Sequence, residues 1–252
     1  MLETWQLFVL SLVGLLAGWL NVMAGGGSLL TLPVMLFMGL PAPVANGSNR
    51  IGILLQNISA TLTFYRQGFS DFRLSLGLAL FACLGALAGA SLGVQLDGAW
   101  FDRLLALVMI GVLLLMLFAP PDTPRSETTD QAPGKRRWLA YLCMIAVGFW
   151  GGLIQIGVGF ILMPVLNRVL GLDLVRVNMH KVFIVAAYTL VALGVFASQV
   201  EIDWYAGMAL ALGTMVGGWL GVHTNLAKGQ TWIRRVLVIT LVAFIIKLLW
   251  SG

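Results

Sequence analysis

Two cations interrupt a chain that is otherwise poor in charge. Arg50 opens the uncharged run Ile51 to Tyr65, and Lys181, preceded by His180, opens the run Val182 to Phe196. An ionisable group inside a membrane is expensive, about 2.5–3.5 kcal/mol on insertion scales, so it usually has a task. A guanidinium suits a flat oxyanion because its planar fork donates two parallel hydrogen bonds, whereas an ammonium supplies a point charge. Each cation follows a glycine cluster, Gly25-Gly26-Gly27-Ser28 in one case and Gly157-Val158-Gly159 in the other. Glycine leaves backbone N–H groups bare, and a helix that starts after it offers the positive end of its dipole. Gly26, Gly27, Ser28, Gly157 and Gly159 are therefore candidates to cradle an anion beside Arg50 and Lys181.

Amides cluster near the same segments. Asn21, Asn49, Gln56 and Gln155, with Asn46, Ser48, Asn57, Asn178 and Tyr188 near them, can complete an anion's hydrogen-bond shell or simply join helices. His180 has the chemistry to couple protons to an anion, although the neighbouring Lys181 opposes its protonation. Each assignment has a plainer counterpart. Glycines also permit tight helix crossings, and a cation at a helix end can snorkel to the interface. His223, beside Thr224 and Asn225 at the end of an apolar run, reads as interfacial.

These residues sit in a membrane-like chain. Of 252 residues, 60% are hydrophobic and 10% charged, and the mean hydropathy is +0.95. Soluble domains carry about 25% charged residues. Trp5 to Leu40 has no charge at all, and Leu74–Gln95, Leu104–Pro120, Trp138–Asn167 and Val182–Val200 are likewise uncharged. Each is long enough, or nearly so, to cross a hydrocarbon core about 30 Å thick. The composition predicts an all-α polytopic membrane protein embedded in a lipid bilayer. The net charge of +5 then follows from basic loops on one side of the membrane. No basic face interleaved with aromatics is present to bind nucleic acid. Cys83 and Cys143 lie in apolar runs and read as core residues. Metal-ligand spacing, a cofactor motif and a nucleophile–base pair are all missing, which argues against an enzyme.

The chain also repeats itself. A shift of 131 residues lays Pro33 on Pro164 and Asn49-Arg50 on His180-Lys181. Ser70-Asp71-Phe72 resembles Ile202-Asp203-Trp204, and the row Gly85, Gly89, Gly93 matches Gly213, Gly217, Gly221. Rows of small residues every four positions are read as helix-packing faces. A proline-rich, charged stretch at 119–137 separates the copies and reads as a cytoplasmic linker between a first transmembrane repeat, 1–118, and a second, 138–252. Arg66 and Arg73 mark one turn as cytoplasmic, whereas the equivalent turn of the second copy carries Glu201 and Asp203. The halves are thus expected to be inverted repeats with both chain ends outside. The glycine clusters cut the first apolar segment of each half into pieces too short to span. Each repeat is expected to hold a broken or re-entrant first helix followed by three transmembrane helices.

This layout resembles the TauE/SafE sulfite exporter family, also called the toluene-sulfonate uptake permease family. The residues that carry the resemblance are the glycine cluster running to Pro33, its echo from Gly157 to Pro164, the cation after each and about eight apolar segments. The second copy departs from the fuller cluster, with Val158 between its glycines and Phe160 after them. The resemblance implies transport, commonly outward, of sulfite or organosulfonates such as sulfoacetate across the bacterial cytoplasmic membrane. The residues themselves point to a secondary transporter working by alternating access around a midplane anion site. An anion channel with a glycine-lined filter is the alternative. Proton or ion coupling, exact substrate and oligomeric state are left open by the residues.

Overall fold

The computed structural model describes residues 2–96, 98–118 and 134–227, and these form helices joined by short turns, with no strand among them. Helix α1 (Thr4–Ala24) stops at Gly25, whose φ of 76° is left-handed and whose N–H bonds to Asn21 O at 2.8 Å. The chain restarts at once as α2 (Ser28–Phe37). Pro43 then falls in the first turn of α3 (Ala42–Arg66), where the missing N–H has no intrahelical partner to lose. The Asp71 carboxylate caps α4 (Phe72–Gly93) by accepting from the Leu74 N–H, and α5 (Gly98–Phe118) completes this half.

The second half follows the same plan. Helix α6 (Gly134–Leu153) breaks, and α7 (Val158–Pro164) continues as a π-helical turn over Val165–Val169. Asp173 caps α8 (Leu174–Gln199), and α9 (Trp204–Ala227) runs to the end of the described residues. Both halves therefore contain a first helix broken near its glycines. Three features depart from the sequence expectation. Lys135, Arg136 and Arg137 belong to α6 rather than to a linker, whose remaining residues 119–133 lie outside the described ones. Residues 228–252, which hold the last basic turn and the final apolar segment, lie outside them too. The second break begins at Ile154, ahead of Gly157, because Gln155 itself takes a left-handed φ of 65°. The π-helical turn follows Pro164, which has no N–H to donate and whose ring crowds the carbonyl four residues back.

The two halves interlock. Helix α1 of the first packs on α9 of the second, and α6 of the second packs on α4 of the first. Glycines lie at these crossings. A methyl group on Gly85 or Gly89 would run into the Ile145 or Phe149 carbonyl, and one on Gly213 or Gly217 into that of Ser11 or Leu15. The glycine rows are packing faces, as their spacing predicts. Helices α3 and α8 run through the middle, each against the other and against α9 and α4 respectively. Their polar residues point inward: Asn46, Asn49, Arg50, Asn178, His180 and Lys181 are all buried. Large apolar side chains such as Phe8, Leu80, Leu84, Leu107 and Leu212 are exposed on the outside. A surface of that kind needs hydrocarbon around it. Helices α1, α4, α8 and α9 are long and apolar enough to cross a membrane.

Candidate functional site

The two breaks meet. A Cβ on Gly25 would lie 2.5 Å from the Gly159 Cα, so the backbones touch where neither residue can carry a side chain. Each interrupted helix leaves carbonyls in its last turn without intrahelical donors, and they carry the negative end of the helix dipole. The two buried cations answer this need across the interface between the halves. Arg50 of α3 reaches the end of α6. Its Nη1 donates to Gly151 O at 3.0 Å and to Gln155 Oε1 at 3.1 Å, and its Nη2 donates to Gly152 O and, at 3.4 Å, to Asn46 Oδ1. Lys181 of α8 reaches the end of α1, donating to Asn21 O at 3.0 Å, Val22 O at 2.8 Å and Asn178 Oδ1 at 2.6 Å. Each cation thus caps the broken helix of the other half.

Around this pair the structure is rich in donors and short of acceptors. The side-chain nitrogens Asn49 Nδ2, Arg50 Nε, Gln56 Nε2 and Asn178 Nδ2 are buried without a hydrogen-bond partner. The Asn178 amide is oriented by Lys181, which can only donate, and Arg50 Nε is a donor in any case. Orphaned buried donors are rare and each asks for a cause, since leaving one unpaired costs about 1–3 kcal/mol. No carboxylate among the described residues is in ion-pair reach of Arg50 or Lys181.

A small cleft lies at the meeting of the breaks. Of the residues singled out from sequence, Asn21, Ser28, Asn57, Gln155, Gly159 and Lys181 line it, joined by Ile53, Val158 and Val185. Its clear interior has room for about one water molecule. Other expected residues surround it less directly. Asn49 accepts from the Thr31 hydroxyl at 2.6 Å, and Gln56 accepts from Asn21 Nδ2 at 2.9 Å. Gly26 and Gly27 are buried at the start of α2, their carbonyls accepting from the N–H groups of Leu29 and Leu30, and Gly157 (φ 67°) starts α7. His180 turns away toward α4, where Nδ1 lies 2.7 Å from the Ser75 hydroxyl.

Sequence reasoning gave no role to Ser75, Thr31, Thr189 or the capped carbonyls. Gln155 proves to be a hub. Besides receiving Arg50, its Nε2 donates to the Tyr188 hydroxyl and to Thr189 Oγ1, both at 3.2 Å. The signal available in the sequence was the missing acid: a buried cation without a carboxylate pairs with carbonyls.

A broken helix per half, interlocked halves and paired inward cations are the geometry that a family assignment must explain. The family model described as "Sulfite exporter TauE/SafE" matches residues 10–248. The chain belongs to the TauE/SafE family. Relatives agree along nearly their whole lengths. A probable membrane transporter protein from a Sinorhizobium species is 28% identical, with 93% of this chain and 88% of that protein covered. One from Haemophilus influenzae is 27% identical over 92% of this chain and 90% of its own. The Escherichia coli probable membrane transporter protein YfcA is 26% identical over 97% and 90%. No solved structure matches. As a TauE/SafE protein the chain is a multi-pass bacterial membrane transporter and not an enzyme.

Proposed function

We propose that the protein is a secondary transporter that exports sulfite or a small organosulfonate such as sulfoacetate across the cytoplasmic membrane by alternating access. The anion site lies in the cleft between the two breaks, with Lys181, Asn21, Ser28, Gln155 and Gly159 on its walls. Arg50, Asn49 and Gln56 stand behind it and the glycine turns at Gly26, Gly27 and Gly157 shape its backbone, while His180, bonded to Ser75 of α4, faces away from it. One observation carries this reading: Lys181 lines the cleft and Arg50, Asn49, Gln56 and Asn178, each with an unpaired buried donor, stand behind its walls, with no carboxylate among the described residues in ion-pair reach of either cation. Such a site is completed by a species that brings acceptors only, and an oxyanion does so. The sulfur chemistry and the outward direction come from the family's name and from no contact in the site.

A cleft with room for about one water is too small for a sulfonate, so binding must widen it. Inverted repeats supply the means, because two halves of like structure and opposite orientation can exchange conformations around one fixed site. Purified protein in liposomes loaded with unlabelled sulfite or sulfoacetate is expected to accumulate the labelled anion transiently by counterflow. A carrier that re-exposes one site gives that overshoot. Flux that dissipates the label gradient, with neither overshoot nor saturation, would identify a channel instead.

A further inference from the structure

Helices α3 and α8, equivalent under the 131-residue shift, differ beside the central cleft. On α3, Ile53 and Asn57 line that cleft. Thr61 and Tyr65, one and two turns onward, line a second small cleft, with Phe69, Ser70 and Asp71 of the following turn, Phe72 and Ser75 of α4 and Met179 and Phe183 of α8. The stretch between the two clefts is one turn of α3 long, about 6 Å at 1.5 Å per residue. Thr61 Oγ1 is buried there without a partner, although a hydroxyl can both donate and accept. Three rings close the outer end: Tyr65 lies 5.7 Å from Phe72, and Phe72 lies 5.8 Å from Phe183, centre to centre.

At the matching positions of α8 stand Tyr188, Ala192 and Phe196, all fully buried. They are locked in place. The Arg50 guanidinium lies 4.3 Å above the Phe196 ring, a cation–π contact, and Gln155 ties Tyr188 and Thr189 to the same guanidinium. One flank of the central cleft therefore leads toward a second cleft. The other is filled by Tyr188, Ala192 and Phe196.

We propose that the face of α3 bearing Asn57 and Thr61 is the anion's route between the central cleft and the side carrying the 66–72 turn. The Tyr65–Phe72–Phe183 rings are its gate, and the Arg50–Phe196–Tyr188 cluster is the closed gate of the opposite route. The proposal rests on the transport reading above. Arg66 and Arg73 place the route's mouth in the cytoplasm, which makes it the entry path of an exporter. Opening requires the three rings to part and Thr61 to become wet.

The test reads water access with no anion present. With Cys83 and Cys143 changed to Ala, Thr61→Cys and Ala192→Cys are labelled in right-side-out and inside-out vesicles by a membrane-impermeant methanethiosulfonate. From the cytoplasmic side, Thr61→Cys is expected to react at least about tenfold faster than Ala192→Cys, and Phe183→Ala is expected to speed it by about tenfold more. Met179→Cys, on the opposite wall of the second cleft, reports the same route should Thr61→Cys express poorly. Equal labelling of the two positions from the cytoplasmic side would overturn the proposal. So would labelling of Thr61→Cys from the outside alone, or an unreactive position 61 in the Phe183→Ala background. The route and the substrate reading fail separately: anion binding by purified protein can persist when this labelling pattern is absent, and the pattern can stand when no sulfur anion binds.

Discussion

Arg50→Ala is expected to destabilise the protein by about 3 kcal/mol or more and to abolish transport, whereas Lys181→Ala acts mainly on the anion. Removing the guanidinium strands the Gly151 and Gly152 carbonyls and Gln155 Oε1 together, inside a site where Arg50 is fully buried. A single stranded acceptor costs about 1–3 kcal/mol, so the three together outweigh the charge burial that is relieved. Lys181 also holds carbonyls, those of Asn21 and Val22, but it borders the cleft, and water entering there can replace its bonds in part. Thermal unfolding in detergent separates the cases: a large fall in Tm for Arg50→Ala, a smaller one for Lys181→Ala. Arg50→Lys is expected to recover part of the stability, because an ammonium reaches one of the two carbonyls but lacks the fork that spans both. A normal Tm in Arg50→Ala would mean that the cap is dispensable.

The second large effect is expected at the point where the breaks touch. Gly25→Ala places a methyl group on the Gly159 Cα and forces a side-chain residue to hold φ at 76°. Strain of about 1–2 kcal/mol in the left-handed region adds to overpacking of about 1–3 kcal/mol. The collision is with backbone, and no rotamer relieves it. Gly159→Ala makes the same collision from the other side, against Gly25. The two are not expected to be additive, since either one separates the same pair of strands of chain. The expected readout is loss of uptake in vesicles together with a lowered Tm, and combining the two substitutions should lower Tm little further than either alone. Full activity in Gly25→Ala would show that the breaks need not touch.

Much of this architecture could be read from residue types. Uncharged runs located the helices, Gly25 to Gly27 and Gly157 to Gly159 located the interruptions to within a few residues, and the matched rows Gly85, Gly89 and Gly213, Gly217 located the crossings. Arg50 and Lys181 were visible as cations with nothing acidic to hold. Half of their partners were not visible, because these are backbone carbonyls, and every residue has one. The start of the second break was misplaced for a related reason. Gln155 in a left-handed conformation defies local preference and is stabilised by bonds to Arg50, Tyr188 and Thr189, which lie 33 or more residues away. The inequality between the Thr61 and Ala192 flanks depends on which side chains fill a shared volume. No periodicity encodes that.

The central claim is that an oxyanion supplies the acceptors this cleft lacks. It is tested most directly by measuring the unfolding free energy of purified protein across sulfite, sulfoacetate, taurine, sulfate, thiosulfate and acetate, with Lys181→Met beside the wild type. At a hundredfold excess over its dissociation constant, a ligand that binds only the folded protein stabilises it by about 2.7 kcal/mol. Stabilisation by sulfite or sulfoacetate, absent in folded Lys181→Met, is the predicted result. No stabilisation by any sulfur anion, or a shift that Lys181→Met keeps in full, would contradict it.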